Sequence, residues 1–271
     1  MFLSDSHTHS CCSPDGTDSI LEMARAGRKA ALTHMCITDH CDLLTLEGDP
    51  SYGYDWKPYK DAFHYAQNRL PQELDLARGL ELGGAYENPD AARAVLAGEP
   101  RLDFVIGSVH NFRNMMDKKD FSYADYADRD VCLQALKDYL GSLEALIELP
   151  DCYDVLGHIL YPLRYMNVKH GQEVSLAEDD NLAHLAVILR KVAEDGKGIE
   201  INTWRGQTVE DWEPILRLFK ALGGEIVTVG SDAHCTGDVA KGVREAYKLM
   251  SACGFGYVAA FRGRKAQMKR L

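Results

Sequence analysis

Short apolar runs in this chain end, one after another, on a side chain able to bind a metal ion. His7 and His9 follow Met1-Phe2-Leu3 in the stretch Ser-Asp-Ser-His-Thr-His-Ser. His40 closes Met35-Cys36-Ile37-Thr38-Asp39-His40, and Glu81 closes Ala77-Arg78-Gly79-Leu80-Glu81. His110 ends the run from Phe104, His158 ends Val155-Leu156-Gly157-His158, and Asp232 and His234 end the run from Ile226. Asp15, in the loop after the first run, completes the set. A parallel barrel gathers the C-terminal ends of all its strands at one rim. Imidazoles and carboxylates recurring at strand ends therefore predict a multinuclear metal site at one end of such a barrel, and with it a metal-dependent hydrolase.

The rest of the chain has the matching rhythm. Strands are predicted over Phe2–His7, His34–His40, Ala77–Leu82, Asp103–His110, Tyr153–His158, Gly198–Asn202 and Glu225–Asp232, with Tyr257–Phe261 a poorer eighth. Helical patterns fill the intervals. One covers 19–31, with Ile20, Met23, Ala24 and Gly27 on one face and Thr17 or Asp18 as N-cap. Others cover 56–70, 88–96 (opened by Asn88-Pro89), 177–194, 209–222 and 239–253. A long one within 123–149 carries Leu133, Leu136, Leu140, Leu143 and Ile147 along one face. The alternation predicts an α/β fold with a single barrel domain over residues 1–271. The Gly-Gly pairs at 83–84 and 223–224 read as turns, because neither has phosphate-loop spacing. The basic stretch 262–270 reads as a solvated tail.

Composition narrows the partners. The formal charge of −11 argues against a nucleic-acid surface, which needs clustered Lys and Arg. It leaves room for a small phosphorylated metabolite, since divalent ions can make a local field positive. No apolar stretch is long enough to span a membrane. Eight cysteines without a short-range framework fit reduced thiols and a cytoplasmic setting, with Cys11-Cys12 an incidental doublet.

A lone histidine is usually structural. His34, His64, His170 and His184 take that reading, because none ends a predicted strand. The other six all do, or lie just beyond, and core packing does not produce that pattern. Taken together, His-Thr-His-Ser at 7–10, Thr-Asp-His at 38–40, Glu81, Gly-Ser-Val-His at 107–110, Gly-His at 157–158 and Ser-Asp-Ala-His at 231–234 resemble the polymerase-and-histidinol-phosphatase (PHP) superfamily. The resemblance spans residues 7–234. It implies a distorted (β/α)7 barrel with two to three divalent ions (Zn, Mn or Fe) at the C-terminal strand ends. It implies that His7, His9, Glu81 and Asp232 hold one ion. Glu81 would bridge to a second ion on His110 and His158, and Asp15, His40 and His234 would hold the third. Several relatives have histidine where this chain has Asp15, and a carboxylate there suits a harder or redox-active ion. Strand alternation turns Cys36 away from the ligands, and Cys41 is read with it as a packing residue.

Phosphate-ester hydrolysis suits this donor set, because paired divalent ions lower the pKa of a water and clamp the phosphoryl oxygens. Glu81, Asp232 and His234 are the expected catalytic residues. Asp-x-Asp motifs of the covalent type are absent, and Ser108 lies in no nucleophile elbow. Arg164, six residues past His158, and Arg205, in the loop after 198–202, resemble the family's phosphate-binding arginines. Asp42, Asp117 and Asp120 lie near ligand-bearing strands, as candidate acceptors for a cationic substrate group. Asp42 is alternatively a ligand-orienting residue, and 111–124 is a candidate cover over the substrate. The resemblance implies hydrolysis of L-histidinol phosphate to L-histidinol and phosphate. The rivals are another small phosphate ester, a nucleotide or a phosphotyrosine peptide; a non-catalytic barrel that stores metal and binds a phosphometabolite; and amidohydrolysis, disfavoured because no lysine ends a predicted strand.

Overall fold

The computed structural model describes residues 2–70, 74–99 and 101–271. Its centre is a sheet of eight strands, all paired in parallel: β1 (Ser4–Asp5), β2 (His34–Ile37), β3 (His40–Asp42), β4 (Asp75–Gly83), β5 (Phe104–Ser108), β6 (Val155–Leu156), β7 (Gly198–Asn202) and β8 (Val227–Gly230). They lie in the order β1-β2-β4-β5-β6-β7-β8, with β3 also on β4. Main-chain bonds from Ser6 N to Val229 O (2.8 Å) and from Asp232 N to His7 O (3.0 Å) bring β8 back to β1. The sheet is thereby nearly closed into a barrel, and residues 7 and 232 become neighbours at its C-terminal rim.

One strand expected as a continuous piece, 34–40, is split into β2 and β3. At the break Thr38 N donates to Thr8 O (2.8 Å), while the Asp39 carboxylate accepts Ser10 N (2.5 Å) and the Ser10 hydroxyl (2.7 Å). Buried polar groups must find partners, and these bend the strand to do so.

Helices α1 (Ile20–Lys29), α2 (Trp56–Gln67), α3 (Pro89–Ala97), α4 (Arg129–Ile147), α5 (Tyr161–Leu163), α6 (Asp179–Glu194), α7 (Glu213–Ala221) and α8 (Val243–Ala252) surround the sheet. The cap of α1 is Ser19 rather than Thr17 or Asp18. Ser19 and Glu22 satisfy each other's main-chain N–H groups in a capping box, which needs Glu at the third helical position. Asn88 caps α3 with Pro89 in its first turn, as expected. On α4, Leu133 is 40% exposed and leaves the predicted face. Leu136, Leu140, Leu143 and Ile147 are buried as expected and are joined by Cys132 and Tyr139, which centre the buried face away from Leu133. No described helix is long and apolar enough to cross a membrane.

The C-terminus departs furthest from expectation. Residues 257–261 do not form an eighth barrel strand, and 262–270, though largely exposed as expected, is an ordered part of a hairpin. β9 (Tyr257–Arg262) and β10 (Lys265–Arg270) form an antiparallel hairpin. Gly263 and Arg264 both take positive φ at its turn (53° and 61°), as the tight hairpin turn that follows strand twist requires. Ala259 and Phe261 pack on Cys36, Ala77, Phe104, Ile106 and Val155 at the barrel end opposite the histidines. Arg262 pairs with Asp103 (2.8 Å) and also with Asp75, while Arg264 pairs with Asp154 (3.0 Å). Arg262 and Arg264 are clasps, which periodicity alone could not reveal. Cys36 is buried here as a packing residue. It faces into the barrel on the same side of the sheet as Ala77 and Glu81, so depth rather than strand alternation separates it from the ligands.

Candidate metal centre

Alternation along the strands aims every second side chain inward, so β4 presents Glu81, β5 presents Ser108 just before His110, and β7 presents Glu200 and Asn202. Glu81 is the hub. Its Oε1 lies 2.7 Å from His158 Nε2, 3.1 Å from His110 Nε2 and 2.7 Å from the Ser108 hydroxyl. Its Oε2 lies 3.1 Å from His7 Nε2 and 3.0 Å from His40 Nδ1. His7 and His9 face each other nitrogen to nitrogen at 3.0 Å, with Asp232 Oδ1 at 3.7 and 3.5 Å. Gly230 is required beneath them, because a Cβ there would strike His7 and the Glu200 carboxylate.

Three of the converging donor groups follow from this: His7 with His9 and Asp232; Glu81 with His110 and His158; and His40 with His234. The last pair converges with His9, and the rings of His40 and His234 stack on the His9 ring at 4.3 and 4.1 Å. Asp15, on the exposed rim, lies 3.0 Å from His234 Nε2 and 3.8 Å from His40 Nε2. All nine expected donors thus border one region. His34, His64, His170 and His184 lie outside the cavity lining.

The back sides of the rings show what the front sides are for. His7 Nδ1 donates to Glu200 Oε1 (2.7 Å), and His110 Nδ1 donates to Asp42 Oδ1 (2.7 Å). Each carboxylate accepts the Nδ1–H hydrogen bond, which fixes the ring and leaves Nε2 as the atom that faces Glu81 and its neighbours. Ring nitrogens that converge on one another and on carboxylates in a buried site fit a divalent cation between them. Ser13 supports His9 in the same way, with its hydroxyl 3.1 Å from His9 Nδ1 and donating to Asp39 (3.0 Å).

Electrostatics follow the same geometry. Burial would lower the His7 and His110 pKa values, but the facing carboxylates lift both well above the ordinary imidazole range; for His7 these are Glu200, Glu81 and Asp232. Burial would raise Glu81, but His7, His40 and His110 hold it well below the usual carboxylate range. Burial, together with the charge of His40, pushes His9 down to about 3. Against partial burial, His234 and His40 draw Asp15 down to about 2. Burial pushes the thiols of Cys12 and Cys41 up to about 11 and 12, so neither offers a thiolate at neutral pH.

A cavity of about 580 Å³ opens over these donors. Arg164 lies on its wall in the π-helical turn Arg164–Lys169, with Nη1 on Asp232 (2.9 Å) and Nη2 donating to Asn202 Oδ1 (2.7 Å). The rings of Tyr161 and Trp204 flank its guanidinium at 5.3 and 5.4 Å. Arg205 is on the rim, 41% exposed at its side chain, with Nε 3.4 Å from Asp238. Trp204, Arg205 and Asp232 all hold left-handed φ angles (42°, 58° and 59°), a strain that recurs at functional sites.

Of the three aspartates considered for a cationic group, Asp42 is committed to His110 and Asp117 is exposed outside the cavity. Asp120 alone remains available on the lining. The 111–124 segment is a wall, not a cover: Asn111 and Asp120 border the cavity while Phe112 and Phe121 are buried in the core. Sequence reasoning missed Glu200, Asn202, Tyr161 and Trp204. Glu200 had a signal, a lone carboxylate in the middle of an apolar strand.

Comparison with known proteins places these features in context. The PHP domain profile matches residues 5–204. A probable histidinol-phosphatase of Clostridium acetobutylicum is 26% identical over 253 residues, covering 92% of this chain and 93% of that protein. The histidinol-phosphatase of Lactococcus lactis subsp. lactis is 25% identical over 264 residues, covering 96% and 95%. A solved structure of the L. lactis histidinol phosphate phosphatase, in complex with zinc, L-histidinol and phosphate, superimposes with a TM-score of 0.84 at 24% identity over 98% of each chain. At that identity the likeness carries the fold, a helix-wrapped parallel barrel.

Proposed function

Because the chain belongs to the PHP domain family, we propose that it is a metal-dependent phosphomonoesterase acting on L-histidinol phosphate, in the cytoplasm. The supporting observation is the convergence on Glu81 of imidazoles whose back nitrogens are locked by Glu200 and Asp42, under a cavity that carries two arginines. In this reading His7, His9, Glu81 and Asp232 hold one ion, Glu81, His110 and His158 a second, and Asp15, His40 and His234 a third. The ions are Zn, Mn or Fe, two to three per chain. When bound they would bring the pKa of a water near neutrality and neutralise phosphoryl oxygens.

The protein's own groups do the rest. Glu81 and Asp232, held ionised, keep the ions in place, and His234 opens onto the cavity where the ester would lie. Arg164 and Arg205 receive the phosphate charge. Arg164 already spans Asp232 and Asn202, so it comes to the ester oriented and with little rotamer freedom left to lose.

The test is phosphate release from a panel of esters, with metals quantified on the same chelator-free preparation. L-histidinol phosphate should exceed p-nitrophenyl phosphate and mononucleotides by at least about tenfold in kcat/KM, or roughly 1.4 kcal/mol. Equal or better turnover of a nucleotide or phosphotyrosine peptide would overturn the substrate, and absence of release from every ester would overturn the activity.

The two arginines separate by position. Arg205→Ala should lower kcat/KM by about tenfold or more with metal content unchanged. Arg164→Ala should cost more, because Asp232 then loses its buried cationic partner. Wild-type kinetics from both variants would remove them from the site.

A further inference from the structure

We infer that Asp120 is the specificity-determining acceptor for a positively charged group on the substrate, so that the pocket selects phosphate esters of ammonium- or imidazolium-bearing alcohols. The inference rests on the phosphoesterase reading and names what that site chooses. Asp120 is 2% exposed, yet it borders the cavity. Among the described residues its partners are neutral: the Ser122 N–H donates to Oδ1 (2.7 Å) and the Tyr161 hydroxyl donates to Oδ2 (3.0 Å). No lysine, arginine or histidine of the described residues pairs with it. Asp5 and Asp39 are also buried with neutral partners, but neither borders the cavity. Glu81, Asp42 and Asp232, on the lining, each face an imidazole or a guanidinium. A buried carboxylate without a cation is costly, and one that borders a cavity is placed to take its cation from a ligand.

The surroundings fix the size of that ligand. The Tyr161 ring lies 5.2 Å from the His110 ring and 4.9 Å from that of His158, while its hydroxyl reaches Asp120. One phenol ring therefore separates the metal pole from the carboxylate, a span suited to a small amino-alcohol phosphate rather than a nucleotide. Tyr165 donates in turn to the Tyr161 hydroxyl (2.9 Å), which holds Tyr161 so that its own proton points at Asp120. The main chain ties the carboxylate to the same frame, since Phe121 N bonds His110 O (3.0 Å) and Asp120 N bonds Leu46 O (2.9 Å).

The test uses the metal-loaded enzyme and Asp120→Asn, which removes the charge and keeps one acceptor oxygen, for the Ser122 N–H. The measured quantity is the ratio of kcat/KM for L-histidinol phosphate to that for p-nitrophenyl phosphate, which has no cation. The ratio should fall at least about tenfold, mostly through KM for the cationic ester. Inhibition by L-histidinol should weaken relative to inhibition by inorganic phosphate. Asp120→Ser, still able to cap the following turn, repeats the test should the first variant fold poorly. An unchanged ratio, or equal weakening of both inhibitors, overturns the inference. A wild type that releases phosphate from neither ester instead overturns the activity on which the inference rests.

Discussion

Glu81→Ala should lose more than one equivalent of metal and at least about a hundredfold in phosphate release, a barrier increase of roughly 2.7 kcal/mol. The size follows from position. Both carboxylate oxygens are used, one by His110, His158 and Ser108 and the other by His7 and His40, and the residue is fully buried. Without it, buried imidazoles from four strand ends face one another with no negative charge between them. Two ions would lose a shared ligand at once, so occupancy and rate should fall together. The comparison is metal content by elemental analysis beside turnover on L-histidinol phosphate, with a thermal melt to confirm folding. A folded Glu81→Ala protein with full metal and full rate would overturn the proposed centre.

Ending the chain at Gly256 should prevent stable folding, although nothing near the metal centre is removed. The deleted hairpin seals the far end of the barrel. Phe261 stacks against Phe104 with ring centroids 4.8 Å apart, and Val258, Ala259 and Ala260 are buried with it. Replacing a buried Phe by Ala costs about 3–5 kcal/mol, a large part of the roughly 5–15 kcal/mol that holds a domain together. The deletion also removes Arg264 from Asp154, whose Oδ2 accepts Val105 N (2.9 Å) inside the sheet, and removes Arg262 from Asp103. Phe261→Ala is the graded version. It should fold, with a urea midpoint lowered by the equivalent of about 3–5 kcal/mol and the same metal content as wild type. A truncated protein melting like the full chain would show that the hairpin is an appendage.

The donors were legible because each is announced locally. An apolar run that ends in His, Glu or Asp states both the strand and the chemistry at its tip, and His7, His9, His40, His110, His158 and Asp232 were found on that basis. Their supports were not legible. Glu200 lies mid-strand, and its partner His7 is 193 residues away in sequence. Asp42 was seen with two roles open, and only the approach of β3 to β5 across β4 gave it to His110. The hairpin was misread for a related reason. Tyr257–Phe261 has strand composition, but composition does not say which sheet a strand joins, and the arginines beside it look like a solvated tail until Asp75, Asp103 and Asp154 are brought beneath them.

The amino-acid sequence by itself determined the alternation of strands and helices, the end of each strand that bears metal donors, and the kind of chemistry those donors allow. These depend on side-chain period and residue type, which act over a few positions. Only the tertiary structure decided which donors share Glu81, which carboxylate orients which imidazole, that Arg164 ties Asp232 to Asn202, and that Asp120 is a buried carboxylate on the cavity wall with no cation beside it. Those pairings arise when barrel closure sets residue 7 beside 232 and residue 81 beneath 110 and 158. Register and closure depend on the packing of the whole chain rather than on any local stretch.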